Sequence, residues 1–133
     1  MPRIQLALNV SNIDSAVDFY RRLFNAEPAK RRPGYANFAI ASPPLKLVLI
    51  ENPKQAGSMN HLGVEVESSS EVDAEATRLR GEGLVTRSEE GVTCCHALQD
   101  KVWVSDPDGA PWEVYRVLAD VPPAKPAAGC CAG

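Results

Sequence analysis

The feature of this sequence that most restricts its fold is a weak internal repeat. Shifting the first half by 56 residues places Gln5 on His61, Leu6 on Leu62, Leu8 on Val64, Val10 on Val66 and Leu23 on Leu79. Few letters agree, but the pattern does: each half reads as strand, helix, then short strands. Neither half could bury its own sheet face, so the two are expected to pack together as one unit.

"RIQLALNV" alternates apolar and polar residues, as a half-buried strand does. "NIDSAVDFYRRLFNAEP" reads as an amphipathic helix: Ile13, Val17, Tyr20 and Phe24 recur at helical spacing, Asn12 or Asp14 offers a cap, and Pro28 bars extension. "YANFAIA" and "LKLVLIE" follow as strands around "SPP". After "NPKQAGSMN" the order restarts. "HLGVEVE" is a strand and "SSEVDAEATRLRGEG" a serine-capped helix with a glycine stop; "LVTRSEE", "KVWVSD" and "PWEVYRV" are strands, the last two joined by "DPDG". The fourth strand of the first half is poorly marked. The expected class is α+β: two βαβββ modules, about 1–55 and 60–118, forming a curved mixed sheet around a concavity within one domain, 1–118. Residues 119–133, rich in Pro, Ala and Gly and lacking hydrophobic periodicity, are expected to form a flexible tail.

A chain of 133 residues can bury about two thirds of its unfolded surface without a disulfide framework. A net charge of −3 with no concentrated basic face argues against nucleic acid as a partner. No apolar run reaches transmembrane length, and the first residues turn polar too early for a secretory signal. The expected setting is therefore cytoplasmic, away from the membrane. Thiols there are mostly reduced, so the four cysteines read first as ligands or nucleophiles.

The βαβββ repeat, a histidine opening the second half and "DPDGAPWEVY" closing it resemble the vicinal oxygen chelate superfamily of glyoxalases, bleomycin-resistance proteins and extradiol dioxygenases. The resemblance covers about residues 1–118. "PGYANFAIASPPLKLVLIE", "HLGVEVE" and "TCC…QDKVWV…PWEVY", in that order, resemble more narrowly the branch of cadmium-induced proteins and organoarsenical carbon–arsenic lyases. The superfamily holds a metal at equivalent strand positions of its two modules. This implies Gln5, His61 and Glu113 as ligands, a nitrogen and oxygen set suited to Fe(II), Mn(II) or a similar ion. Aligning "PPLKLVL" with "APWEVYR" sets Lys46 opposite Glu113, where glyoxalase-like members supply a second carboxylate. Three protein ligands leave positions open for oxygen chemistry.

The cysteines form two adjacent pairs, Cys94–Cys95 and Cys130–Cys131. Neighbouring Cα atoms lie about 3.8 Å apart, below the usual disulfide range, so a bond within either pair would be strained. In a strand the two side chains diverge, and they converge only where the backbone bends, as in a loop between Gly91 and Lys101. A larger thiophilic centre bridges such sulfurs with less strain: trivalent arsenic, with Cd(II) and Hg(II) as soft alternatives. Beside them, His96 is expected to be an exposed loop residue, Gln99, Asp100 and Lys101 to set the loop's geometry, and Tyr35, Phe38 and Trp103 to line the pocket.

The resemblance thus implies an Fe(II)-dependent lyase that uses dioxygen as cosubstrate to degrade trivalent organoarsenicals, methylarsenite to arsenite. Cys94 and Cys95 would bind the substrate, no catalytic side chain is expected beyond the metal set, and Cys130 and Cys131 would be auxiliary thiols. The expected partner is this small molecule, with the protein a monomer or homodimer. The alternatives are a noncatalytic cadmium- or arsenite-binding resistance protein and a glyoxalase-like isomerase.

Overall fold

Alternation along the first strand sorts the molecule into two faces. In β1 (Arg3–Val10) Gln5, Ala7 and Asn9 are buried on one side, while Leu6, Leu8 and Val10 pack against helix α1 (Ile13–Phe24) on the other. The chain continues through β2 (Lys30–Arg32), β3 (Tyr35–Ile40), β4 (Leu45–Glu51), a 3-10 turn at Pro53–Gln55, β5 (Met59–Glu65), α2 (Ser69–Gly81), β6 (Arg87–Cys94), β7 (Ala97–Ser105) and β8 (Pro111–Asp120). This computed structural model describes residues 2–94 and 96–121. Cys95, Cys130 and Cys131, and the tail beyond Val121, lie outside the described residues, as do the expectations placed on them. Among the described residues no helix is long and apolar enough to cross a membrane.

All eight strands form one sheet in the order β2-β3-β4-β1-β5-β8-β7-β6. β1 runs parallel to β4 and β5 parallel to β8, and β1 and β5 join antiparallel at the centre. Read from either edge, the order is the same with labels four apart. The architecture is the expected α+β one, a curled half-barrel with a helix behind each half. Ile13 and Val17 of α1 pack on Ala36, Phe38, Ile40, Leu47 and Leu49; Val72 and Ala76 of α2 pack on Val102.

Caps define both helices. The Asn12 side chain accepts from Ser15 N at 2.9 Å, so Asn12 rather than Asp14 is the cap. The helix ends at Phe24, short of Pro28, because Asn25 turns left-handed (φ 50°). Ser68 caps α2 by accepting from Glu71 N. The unmarked strand of the first half is β2, only three residues long.

Two expectations are corrected in the second half. Leu84 and Val85 are exposed in the connection after α2, and the strand read over "LVTRSEE" begins at Arg87 and runs to Cys94. The loop expected between Gly91 and Lys101 is instead a hairpin, β6 pairing with β7 from Arg87↔Trp103 to Cys94↔Ala97. Backbone bending is confined to a bulge at Gly91 (φ 59°), whose N–H donates to Asp100 Oδ1 at 2.7 Å, and to the turn at His96 (φ 65°).

Leu49, fully buried under α1, tests this core. Leu49→Ala is expected to lower unfolding free energy by about 2–5 kcal/mol, read from the urea midpoint with unchanged slope.

Candidate metal centre

The cavity-facing side of the sheet is polar although it is buried. Gln5, Asn9, Asn37, His61, Gln99, Lys101 and Glu113 are each at most 8% exposed. Burying such groups is costly unless partners satisfy them, and most find partners here.

Gln5, His61 and Glu113 come together at the β1–β5–β8 seam. Gln5 lies opposite Gly63 on β5, and Glu113 is level with Gly63 on β8. His61 precedes Gly63 by two residues and so shares its face. Gly63 leaves the space into which Gln5 and Glu113 lean: a Cβ there would sit 2.9 Å from Glu113 Cγ and 3.4 Å from Gln5 Nε2. His61 Nε2 lies 3.1 Å from Gln5 Nε2 and 3.1 Å from Glu113 Oε2. Among the described residues no three His, Cys, Asp or Glu side chains converge, and the third donor is this amide.

The surroundings set the charge state of each group. His61 Nδ1 is 2.8 Å from Asn60 Oδ1, which can only accept, so the ring proton sits on Nδ1 and the Nε2 lone pair faces the other two donors. Asn60 is itself oriented by donating to Asn9 Oδ1 at 3.0 Å, and Asn9 donates to Ser58 Oγ at 3.0 Å. Burial pushes the Glu113 carboxyl up, while the Lys101 ammonium pulls it down. Lys101 Nζ is 3.3 Å from Glu113 Oε1; burial pushes this lysine down, opposed by the same carboxylate. The Tyr115 hydroxyl, raised well above its ordinary value by burial, donates to Gln5 Oε1. Trp103 packs on the His61 ring at 5.5 Å and donates its indole N–H to Glu89 Oε1 at 2.7 Å.

Two atoms on this polar face are unsatisfied, Gln99 Oε1 and Glu113 Oε2. Glu113 Oε2 is buried with no hydrogen-bond partner, facing an imidazole nitrogen that has no proton to give. A carboxylate oxygen and a bare nitrogen 3.1 Å apart repel unless a positive charge lies between them. Two donors at right angles on an ion with bonds near 2.1 Å lie roughly 3.0 Å apart. The Tyr115 hydroxyl can donate or accept, so it supports the Gln5 amide with either end toward such an ion. The donor set therefore fits a divalent cation.

A cavity of about 250 Å³ adjoins the set, with Gln5 and Glu113 in its wall together with Tyr35, Phe38, Lys46, Ala97 and Gln99. Lys46 lies beside Gln5 in the sheet, but its ammonium is held 3.0 Å from Glu65 Oε2, so the wall offers a bound cation where a fourth ligand would stand. Cys94, at the end of β6, is buried beside Ala97, and its carbonyl accepts from Gln99 Nε2 at 2.8 Å. It is disulfide-bonded, whereas a reduced thiol was expected. Further corrections concern its neighbours. His96 is buried against the Tyr35 ring rather than exposed. Gln99 and Asp100 do hold the hairpin, but Lys101 turns inward to Glu113. Trp103 covers His61 and Tyr35 lines the cavity, while the Phe38 side chain packs in the core under α1.

Residues 4–114 match the Glyoxalase/Bleomycin resistance protein/Dioxygenase superfamily. The chain belongs to this superfamily. Within it, the chain is 68% identical over 120 residues to the cadmium-induced protein CadI of Mycobacterium tuberculosis, covering 90% of this chain and 79% of that one. It is 56% identical over 121 residues to a trivalent organoarsenical cleaving enzyme of Thermomonospora curvata, covering 90% and 80%. Two solved structures share the fold at low identity. The Mn(II)-bound glyoxalase of Novosphingobium aromaticivorans aligns with a TM-score of 0.62 at 20% identity, over 96% of this chain and 44% of its own. Homoprotocatechuate 2,3-dioxygenase of Arthrobacter globiformis aligns with a TM-score of 0.61 at 19% identity, over 90% and 36%.

Because Asn60 fixes the histidine tautomer, Asn60→Ala is expected to weaken Mn(II) binding about 10- to 100-fold in anaerobic calorimetry, with circular dichroism unchanged.

Proposed function

We propose that this protein is an Fe(II)-dependent enzyme that cleaves the carbon–arsenic bond of trivalent organoarsenicals such as methylarsenite, releasing inorganic arsenite. The observation that carries the reading is the orphaned Glu113 Oε2 facing the unprotonated Nε2 of His61, beside an amide and next to a cavity reached by the Cys94 hairpin. The 56% identity to an organoarsenical cleaving enzyme supports the substrate class.

Gln5, His61 and Glu113 would hold the metal through an amide oxygen, an imidazole nitrogen and a carboxylate oxygen. Bound Fe(II) supplies dioxygen activation and redox chemistry that side chains lack. The rest falls to the chain. The Cys94 thiolate, once its disulfide is reduced, captures arsenic together with Cys95. Gln99 fixes the Cys94 carbonyl, so the sulfur is presented from a braced turn rather than a free loop. Tyr35, Ala97 and Val117 give the cavity apolar surface on which the organic substituent can rest. The hairpin that carries Cys94 contributes Ala97 and Gln99 to the cavity wall that also holds Gln5 and Glu113, a closeness of capture site and metal set that would supply proximity.

The 68% identity to a cadmium-induced protein favours a second reading, sequestration of Cd(II) or arsenite by the same thiols without turnover. Aerobic incubation of the reduced, Fe(II)-loaded chain with methylarsenite, with arsenic species separated chromatographically, distinguishes the two. Catalytic release of arsenite is expected, and stoichiometric retention of methylarsenite would favour sequestration. His61→Ala is expected to lower turnover by about 100-fold or more while leaving arsenical capture intact. Cys94→Ala is expected to abolish capture and leave metal binding in place. Parental turnover in both variants would refute the proposal.

A further inference from the structure

Lys101 is the most deeply buried charge in the described structure that the proposed chemistry does not use. Its side chain is fully excluded from solvent, at the centre of β7. The ammonium lies 3.3 Å from Glu113 Oε1, 5.3 Å from the Trp103 ring centroid and 5.8 Å from that of Tyr115. Each of these three neighbours serves one of the three donors. Glu113 is itself a donor, Trp103 packs on the His61 ring, and the Tyr115 hydroxyl donates to Gln5.

A buried ion pair is a poor device for stability, because desolvating both charges offsets most of their attraction. Its position relative to the donors suggests a different use. With Oε1 occupied by the ammonium, Glu113 offers a metal only Oε2. With one carboxylate and one ammonium, the protein's charge at the centre sums to zero, although a divalent cation binds best where negative charge accumulates.

We infer that Lys101 is a positioning residue that restricts Glu113 to one metal-facing oxygen and neutralises the metal centre, deliberately weakening its grip on a divalent ion and leaving the ion's positive charge for exogenous ligands. This rests on the metal-centre reading above and adds to it a residue that tunes affinity downward. A purely structural lysine would have the opposite signature: its loss would disorder Glu113 and weaken metal binding.

The test is anaerobic calorimetric titration of the full, reduced chain with Mn(II). Lys101→Met, which keeps the length of the side chain and removes the charge, is expected to bind Mn(II) at least tenfold tighter than the parent. Lys101→Gln serves if the methionine variant fails to fold, with the same expectation. Lys101→Arg, which retains the charge, is expected to stay within about threefold of the parent. Equal or weaker binding by the folded neutral variants, while the parent binds and His61→Ala does not, would overturn the role of Lys101 and leave the metal centre standing. No binding by the parent, or equal binding by His61→Ala, would overturn the metal centre itself and this inference with it.

Discussion

The β1–β5–β8 seam depends on a missing side chain. Gly63 stands between Gln5 and Glu113 in the sheet, and its absent Cβ is what lets the amide and the carboxylate each close to 3.1 Å from the imidazole inside the molecule. Any larger residue would meet Glu113 Cγ and the Glu113 carbonyl oxygen, both 2.9 Å from the added carbon. The surrounding partners follow from this convergence. Asn60 assigns the imidazole proton, Tyr115 holds the amide, and Lys101 holds one carboxylate oxygen, leaving a single oxygen facing the histidine without a partner.

The pairing of two similar units explains where this convergence occurs. Antiparallel contact between β1 and β5 brings the first strand of each unit side by side, and the parallel neighbours β4 and β8 flank them. Strand alternation then sends apolar residues to the helices and polar ones to the concave side. The units are alike in path but not in chemistry. On β4 the cavity receives Lys46, tied to Glu65; on β8 it receives Glu113. The asymmetry leaves a three-donor set where a symmetric pair of modules would supply four.

Much of this was legible in the sequence. The 56-residue offset that sets Gln5 on His61 marked both segments as strands, but apolar alternation in "RIQLALNV" points to Leu6, Leu8 and Val10 on the helix side and not to the buried polar face of Gln5 and Asn9. Helix ends were less legible, because the left-handed turn at Asn25 acts before Pro28. The segment after Gly91 was misread for a related reason: glycine and a cysteine pair suggested a loop, but pairing with β7 carries the strand to Cys94 and absorbs the extra residue in a bulge. Lys101 was grouped with Gln99 and Asp100 as setting the geometry of a loop, and in a loop strand parity carries no information. Its parity with Gln99 and Trp103 on β7, the strand beside Glu113, was the available signal. Asn60 carried no signal, since its value lies in a contact with the side chain that follows it.

The most direct test of the central claim is a crystal structure of the reduced protein soaked with Mn(II) under anaerobic conditions and measured at the manganese edge. The account predicts one dominant anomalous peak bounded by the Gln5 amide oxygen, His61 Nε2 and Glu113 Oε2. Strong density at the cysteines or on the surface with none at that seam would contradict it.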